Sequence, residues 1–157
     1  MDLYQVMRST FAAREYTDDP LPDRTLARIF EHARFAPSGG NRQGGRVIVV
    51  RDPATKAALA ELAVPAARRY AAQLAAGESP WNPVQPTTVD AATIARTPAP
   101  AGLTQPFLQA PVVLVVCVDL QVVAAIDQEL PRVGLIAGAS IYPLVWNLLL
   151  AARNEGY

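Results

Sequence analysis

The residues with most capacity for chemistry fall in one short stretch, Ala36-Pro37-Ser38-Gly39-Gly40-Asn41-Arg42-Gln43. Ser38, Asn41 and Gln43 supply hydrogen-bonding side chains. Gly39 and Gly40 let a flat ligand approach bare backbone, or allow positive φ. A polar, glycine-permissive loop between regular elements suits ligand binding; a solvated helix-to-strand turn has the same composition. Nothing beside it suggests bond-making by side chains. There is no acid–base pair, no metal-ligand spacing, no nucleophile with a partner base, no dinucleotide fingerprint and no P-loop. No catalytic or metal-ligating residue is therefore predicted. His32 is the only histidine and cannot form a metal site alone. Cys117 is the only cysteine, which excludes an intrachain disulfide and fits a reducing, cytoplasmic compartment. Its apolar neighbours read as burial and inertness.

The elements that must hold this loop are legible on both sides. Leu3, Val6 and Met7 share a face, so residues 2–9 read as a helix. The turn Pro20-Leu21-Pro22 leads to Asp23, a plausible N-cap for a helix over Arg24–Phe35. Leu26, Ile29, Phe30 and Ala33 recur at helical spacing and face the core. Pro37 ends that segment. Val47–Val50 is apolar throughout and reads as a strand buried on both faces. Thr55 to about Ala63 reads as a short surface helix after Asp52-Pro53. Residues 64–106 contain seven of the chain's prolines; Arg68, Arg69 and Tyr70 could begin a helix, and from Gly77 onward the segment reads as irregular structure, a lid or binding loop within a single domain. Trp81 lies there, either covering a ligand or anchoring the loop. Val112–Val118 is a second apolar strand, and Asp119 ends it. Asp127 and Glu129 stand near the start of a last helix that runs to about Arg153. Pro143 should bend it or mark its start, and Gly156 suits its C-cap.

Fourteen basic and fourteen acidic residues cancel, so no nucleic-acid or anionic-membrane partner is expected. The chain is 51% hydrophobic and 18% charged, which hints at burial beyond one chain. No charge falls between Arg132 and Arg153, a length that could span a bilayer. Gly134, Gly138, Ser140, Pro143 and Asn147 lower its hydropathy, so a helix buried in protein is the expectation, with no membrane span. No secretion signal is seen at the N-terminus.

Pro37-Ser38-Gly39-Gly40-Asn41-Arg42-Gln43 followed by Val47–Val50 resembles the loop and strand of the nitroreductase family of FMN-dependent oxidoreductases. Arg14-Glu15-Tyr16 and Pro20-Leu21-Pro22 resemble that family's N-terminal signature, and Asn147–Ala152 with Gly156 its long central helix. The resemblance implies an α+β fold, a small sheet wrapped by helices, with the last helix at a homodimer interface. It implies bound FMN, with NAD(P)H delivering hydride in a ping-pong cycle and a nitroaromatic, quinone or similar acceptor completing it. Arg14 would hold the phosphate or ribityl chain; Thr10 falls on a further position of that signature. Ser38, Gly39, Asn41 and Gln43 would lie along the isoalloxazine, in this family usually that of the partner subunit. Ala12 replaces a polar or basic residue of the signature, and Gly45 stands where a bulky aromatic is common. Family members continue past the helix ending near Gly156 with further strands and phosphate-holding basic residues, a part without counterpart in residues 1–157. The alternatives are another flavin reaction on the same fold (dehalogenation, flavin breakdown, desaturation) or a flavin-free, non-catalytic binding or vestigial protein.

Overall fold

A computed structural model describes residues 1–157. The elements in order are α1 (Leu3–Ser9), α2 (Asp23–Ala33), β1 (Gly45–Val50), α3 (Pro53–Ala75), α4 (Ala91–Arg96), α5 (Ala101–Gln109), β2 (Val113–Val118) and α6 (Tyr142–Asn154). Short 3₁₀ turns occupy Gly39–Asn41 and Ile136–Ser140. β1 and β2 form a two-stranded sheet, so the fold is α+β and rich in helix. The chain divides into two compact units, one of Met1–Ala12, Pro20–Val49 and Leu114–Tyr157, the other of Ala13–Asp19 and Val50–Val113.

In the first unit α2 packs on α6. Ile29, Ala33 and Leu148 are buried at the centre, with Phe30, Val47, Val116, Leu144 and Ala151 around them. Ile29, Phe30 and Ala33 are helical-spacing residues of α2, and they face α6 as the pattern requires. Two polar ties fix the helix ends. Glu155 accepts from Arg28 Nε at 3.1 and 3.2 Å, and Arg153 Nε donates to Ser9 Oγ of α1 at 3.0 Å. The C-terminus of α6 closes in a Schellman motif: the Tyr157 N–H reaches the Ala152 carbonyl and the Gly156 N–H that of Arg153, with Gly156 at φ 94°. Pro143 marks the start of α6. The uncharged run is therefore not one helix: Ile136–Ser140 is a separate turn, and no helix is long and apolar enough to cross a membrane.

The strands pair as their apolar runs suggest, but β1 is not buried on both faces. Ile48 and Val49 are exposed in the single chain, while Val50 is buried. Two strands cannot cover each other's faces, and helices reach only part of this sheet. Asp23 is the first residue of α2 rather than its cap; Pro22 occupies the cap and contributes no side-chain bond. Cys117 is half-buried, its thiol 4.0 Å from the Val115 carbonyl.

The second unit differs most from the sequence reading. The short helix expected over Thr55 to about Ala63 and the helix that Arg68 could begin are one continuous 23-residue α3, and the expected irregular segment after Gly77 contains α4 and α5. Pro65 lies inside α3. Proline in a helix interior costs about 3 kcal/mol, yet alanine, the best helix former, dominates this segment. Packing on α4 and α5 buries Ala60, Ala67 and Ala72 and offsets the lost bond. Asp52 and Asp90 cap α3 and α4, accepting from Thr55 N at 2.7 Å and Thr93 N at 2.8 Å. The turn after α3 is clasped by Glu78, which accepts from Thr87 Oγ1 (2.6 Å), Thr88 N (2.7 Å) and Thr88 Oγ1 (2.8 Å). Trp81 sits half-exposed on Tyr70, rings 6.2 Å apart, its backbone N–H donating to Oε1 of the buried Gln73 at 3.3 Å.

Candidate functional site

α2 ends at Ala33, and the chain turns through Pro37 into the loop before β1. Gly40, Asn41 and Gln43 all adopt left-handed backbone, with φ 60°, 54° and 51°. Only glycine does so freely; a side chain there costs about 1–2 kcal/mol, less for asparagine. A tight set of bonds holds the conformation. Ser38 Oγ accepts the Gln43 N–H at 3.0 Å, closing the loop across its base. The Ser38 carbonyl accepts the Asn41 N–H at 2.8 Å. Gln43 Nε2 donates to Asn41 Oδ1 at 2.9 Å. Arg46 folds back, its guanidinium donating to the Gln43 and Gly45 carbonyls at 2.9 and 2.8 Å. Arg42 donates to the Val122 carbonyl at 3.3 Å.

The loop is also pinned from far along the chain. Ser140 Oγ accepts the Gly39 N–H at 2.9 Å, across 101 residues. The Gly39 amide is thus already satisfied, and what this glycine offers a ligand is bare Cα. Ser140 ends the turn Ile136–Ser140, which Asp127 fixes at its other end. The buried Asp127 carboxylate accepts from Leu135 N at 2.7 Å, from Ile136 N and from Arg132 at 2.8 Å. The Leu135 amide, foremost, holds Asp127 below the usual carboxylate range. Gly138 lets this turn lie against the ring of Tyr142; an added Cβ would sit 2.3 Å from it.

Loop, turn, α2, β1 and α6 border a half-open cavity of about 270 Å³. Phe30, Val47 and Leu144 form apolar walls; Ser38, Gln43 and Ser140 give hydroxyl and amide groups; Arg46, and Arg34, which is paired with Glu31 at 3.3 Å, add positive charge. No carboxylate lines it. Gly45 also lines it, and the space its side chain would fill is taken by Leu144, whose Cδ2 lies 2.9 Å from a built Cβ. Such a site can bind and orient a flat, polar-edged or anionic ligand.

Of the residues predicted from sequence, Ser38, Gly39, Asn41 and Gln43 come together in this loop. Thr10 lies in the first unit at the end of α1, where its hydroxyl donates to the Val6 carbonyl at 2.8 Å. Its proton is committed to the helix end. Arg14 is exposed and belongs to the second unit. Sequence reasoning missed Ser140 and Arg46. Arg46 adjoins the loop and its charge was visible; Ser140 carried no local signal.

The nitroreductase family model matches residues 7–157. An NADH dehydrogenase of Thermus thermophilus is 54% identical over 50 residues, which are 32% of this chain and 24% of that protein. Among solved structures, a nitroreductase family protein from Clostridium difficile superposes with a TM-score of 0.56 at 18% identity, covering 99% of this chain and 64% of its own. Iodotyrosine deiodinase bound to FMN and 3-iodo-L-tyrosine gives a TM-score of 0.65 at 19% identity, covering 99% and 71%. This chain thus spans about a quarter of the Thermus protein and under two thirds of the Clostridium one. At these identities the structural likenesses establish the fold, while the match along nearly the whole chain establishes descent: this chain belongs to the nitroreductase family.

Proposed function

We propose that this chain is an FMN-dependent oxidoreductase that uses NAD(P)H as electron donor. The observation that carries the reading is the braced loop Ser38–Gln43. Two strained non-glycine residues are held around bare glycine backbone, beside an apolar cavity with a cationic, carboxylate-free rim. Strain of this kind is kept where it serves a ligand. The residues fit the cofactor: Phe30, Val47 and Leu144 suit an apolar ring, Ser38 and Gln43 its polar edge, and Arg34 and Arg46 its negative charge. Bound FMN would supply the redox chemistry, taking hydride from NAD(P)H and returning electrons to a nitroaromatic, quinone or similar acceptor in a ping-pong cycle. The protein's part is to bind, orient and exclude water. By its place in the family signature, Arg14 would hold the phosphate or ribityl chain of bound FMN through charge-assisted hydrogen bonds. Ser38, Gly39, Asn41 and Gln43 would set the ring's position.

The site is completed in a homodimer. The cavity in one chain lies below the usual 300–1,000 Å³ of ligand pockets. On α6, Tyr142, Trp146 and Leu149 form an exposed stripe at helical spacing, opposite the buried Leu148. A soluble cytoplasmic protein is consistent with the free Cys117. The experiment is anaerobic mixing of the flavin-loaded protein with NADH or NADPH, then with a quinone or nitroaromatic. The flavin absorbance should bleach in the first step and return in the second. Absorbance indifferent to both nicotinamides would remove the oxidoreductase reading.

A further inference from the structure

We propose that Ser140 contacts the ligand of this site directly, as a hydroxyl donor, and holds the cofactor loop with the same oxygen. The inference rests on the flavin reading above. Ser140 lines the cavity together with Ser38 and Gln43, and it is half-buried. Its oxygen accepts the Gly39 N–H at 2.9 Å. A serine hydroxyl has one proton and two lone pairs, so this bond leaves the proton to donate. A Cβ built on Gly39 would approach Ser140 Oγ to 3.4 Å, so loop and hydroxyl are in contact without room for a spacer. The position is rigidly set. Asp127 holds the amides of Leu135 and Ile136 at the head of the turn, and α6 begins two residues after its end. A preorganised hydroxyl at a cavity wall with apolar and cationic neighbours recognises an acceptor atom, such as a carbonyl oxygen or ring nitrogen of a planar heterocycle. Serine rather than a longer side chain fits because the loop lies so close.

The test uses the full chain and FMN itself. The native protein, Ser140→Ala and Ser140→Thr are compared by flavin fluorescence titration, by the visible spectrum of the bound flavin and by thermal unfolding without flavin. Ser140→Ala should weaken FMN binding about five- to tenfold, the worth of one hydrogen bond of about 1–1.4 kcal/mol. It should also shift the bound-flavin absorption bands, and Ser140→Thr, which keeps the hydroxyl, should restore both. If Ser140→Ala unfolds at a lower temperature yet binds FMN with native affinity and spectrum, the contact is structural only and the proposal fails. If it fails to fold, Ser140→Thr decides: native affinity and bands support the proposal, and altered bands in a stably folded Ser140→Thr overturn it. A native protein that binds no FMN overturns the flavin reading itself, and this inference with it.

Discussion

Asn41 and Gln43 show how much of the site rests on single residues. Both sit in left-handed backbone, and each is tied by a bond that an alanine would lose. The polar composition of this loop was legible in the sequence; its strain was not, because backbone angles there depend on Ser38, Ser140 and Arg46 acting together. Arg14 carries the first prediction. Replacing it with alanine removes a charge-assisted contact worth about 1.5–3 kcal/mol, so FMN affinity should fall roughly ten- to a hundredfold. Folding should survive, since Arg14 is exposed. An unchanged titration midpoint would place the phosphate elsewhere. Glu78 carries the second. Its bonds to Thr87, then to Thr88, hold its carboxyl down to about 2, from an ordinary 4.5. A depressed carboxylate adds stability above its unfolded pKa and loses it as pH falls toward the folded value. The unfolding temperature should therefore decline between about pH 4.5 and 2 in part through Glu78. Glu78→Gln should be less stable near neutral pH and show a shallower acid decline; identical slopes in both proteins would contradict this.

The same contrast between local and distant signals holds for the elements. β1, β2 and α2 were legible because apolar runs and helical spacing are local patterns that tertiary packing reinforced. α3 was not, because Pro65 is a strong local signal for termination that packing on α4 and α5 overrides. The turn Ile136–Ser140 was hidden inside an uncharged run that looked like one long helix. Its existence depends on Asp127, buried and bonded to amides that no periodicity reveals. Gly138 in that turn is the element-scale test. Gly138→Ala would press its Cβ into the Tyr142 ring, at 2.3 Å in the present geometry. The ring of Tyr142, 72% exposed, must swing aside into solvent. The cost should therefore lie at or below the low end of the about 1–3 kcal/mol of core overpacking, with a small drop in thermal stability and in FMN affinity as Ser140 moves. A variant with native stability and affinity would show that the turn does not position Ser140.

For the whole molecule, the open question is what covers the apolar surface that one chain leaves exposed. Tyr142, Trp146 and Leu149 on α6, and Ile48 and Val49 on β1, lie uncovered, although α6 and β1 also supply the core. The high hydrophobic content agrees with the apolar surface that one chain leaves exposed, but did not say which residues form it. An obligate, apolar dimer interface of about 2,000 Å² or more would cover such a surface. Trp146→Glu is informative because Trp146 is 45% exposed in the single chain. In a monomer it should be tolerated; at a dimer interface it buries an unpaired charge and should dissociate or unfold the protein. Light scattering should give a dimer for the native chain and loss of that dimer for the variant. A native chain that is a well-folded monomer on dilution would contradict the shared site.

The proposed function, and with it the expectations for Arg14, Gly138 and Ser140, depends on the loop beside α2 holding FMN. The most direct measurement is to denature the purified protein and identify the released flavin by chromatography, before and after incubation with excess FMN. The expected result is FMN, released in proportion to the amount of chain. FAD in its place, or no flavin retained even after incubation with FMN, would contradict the account.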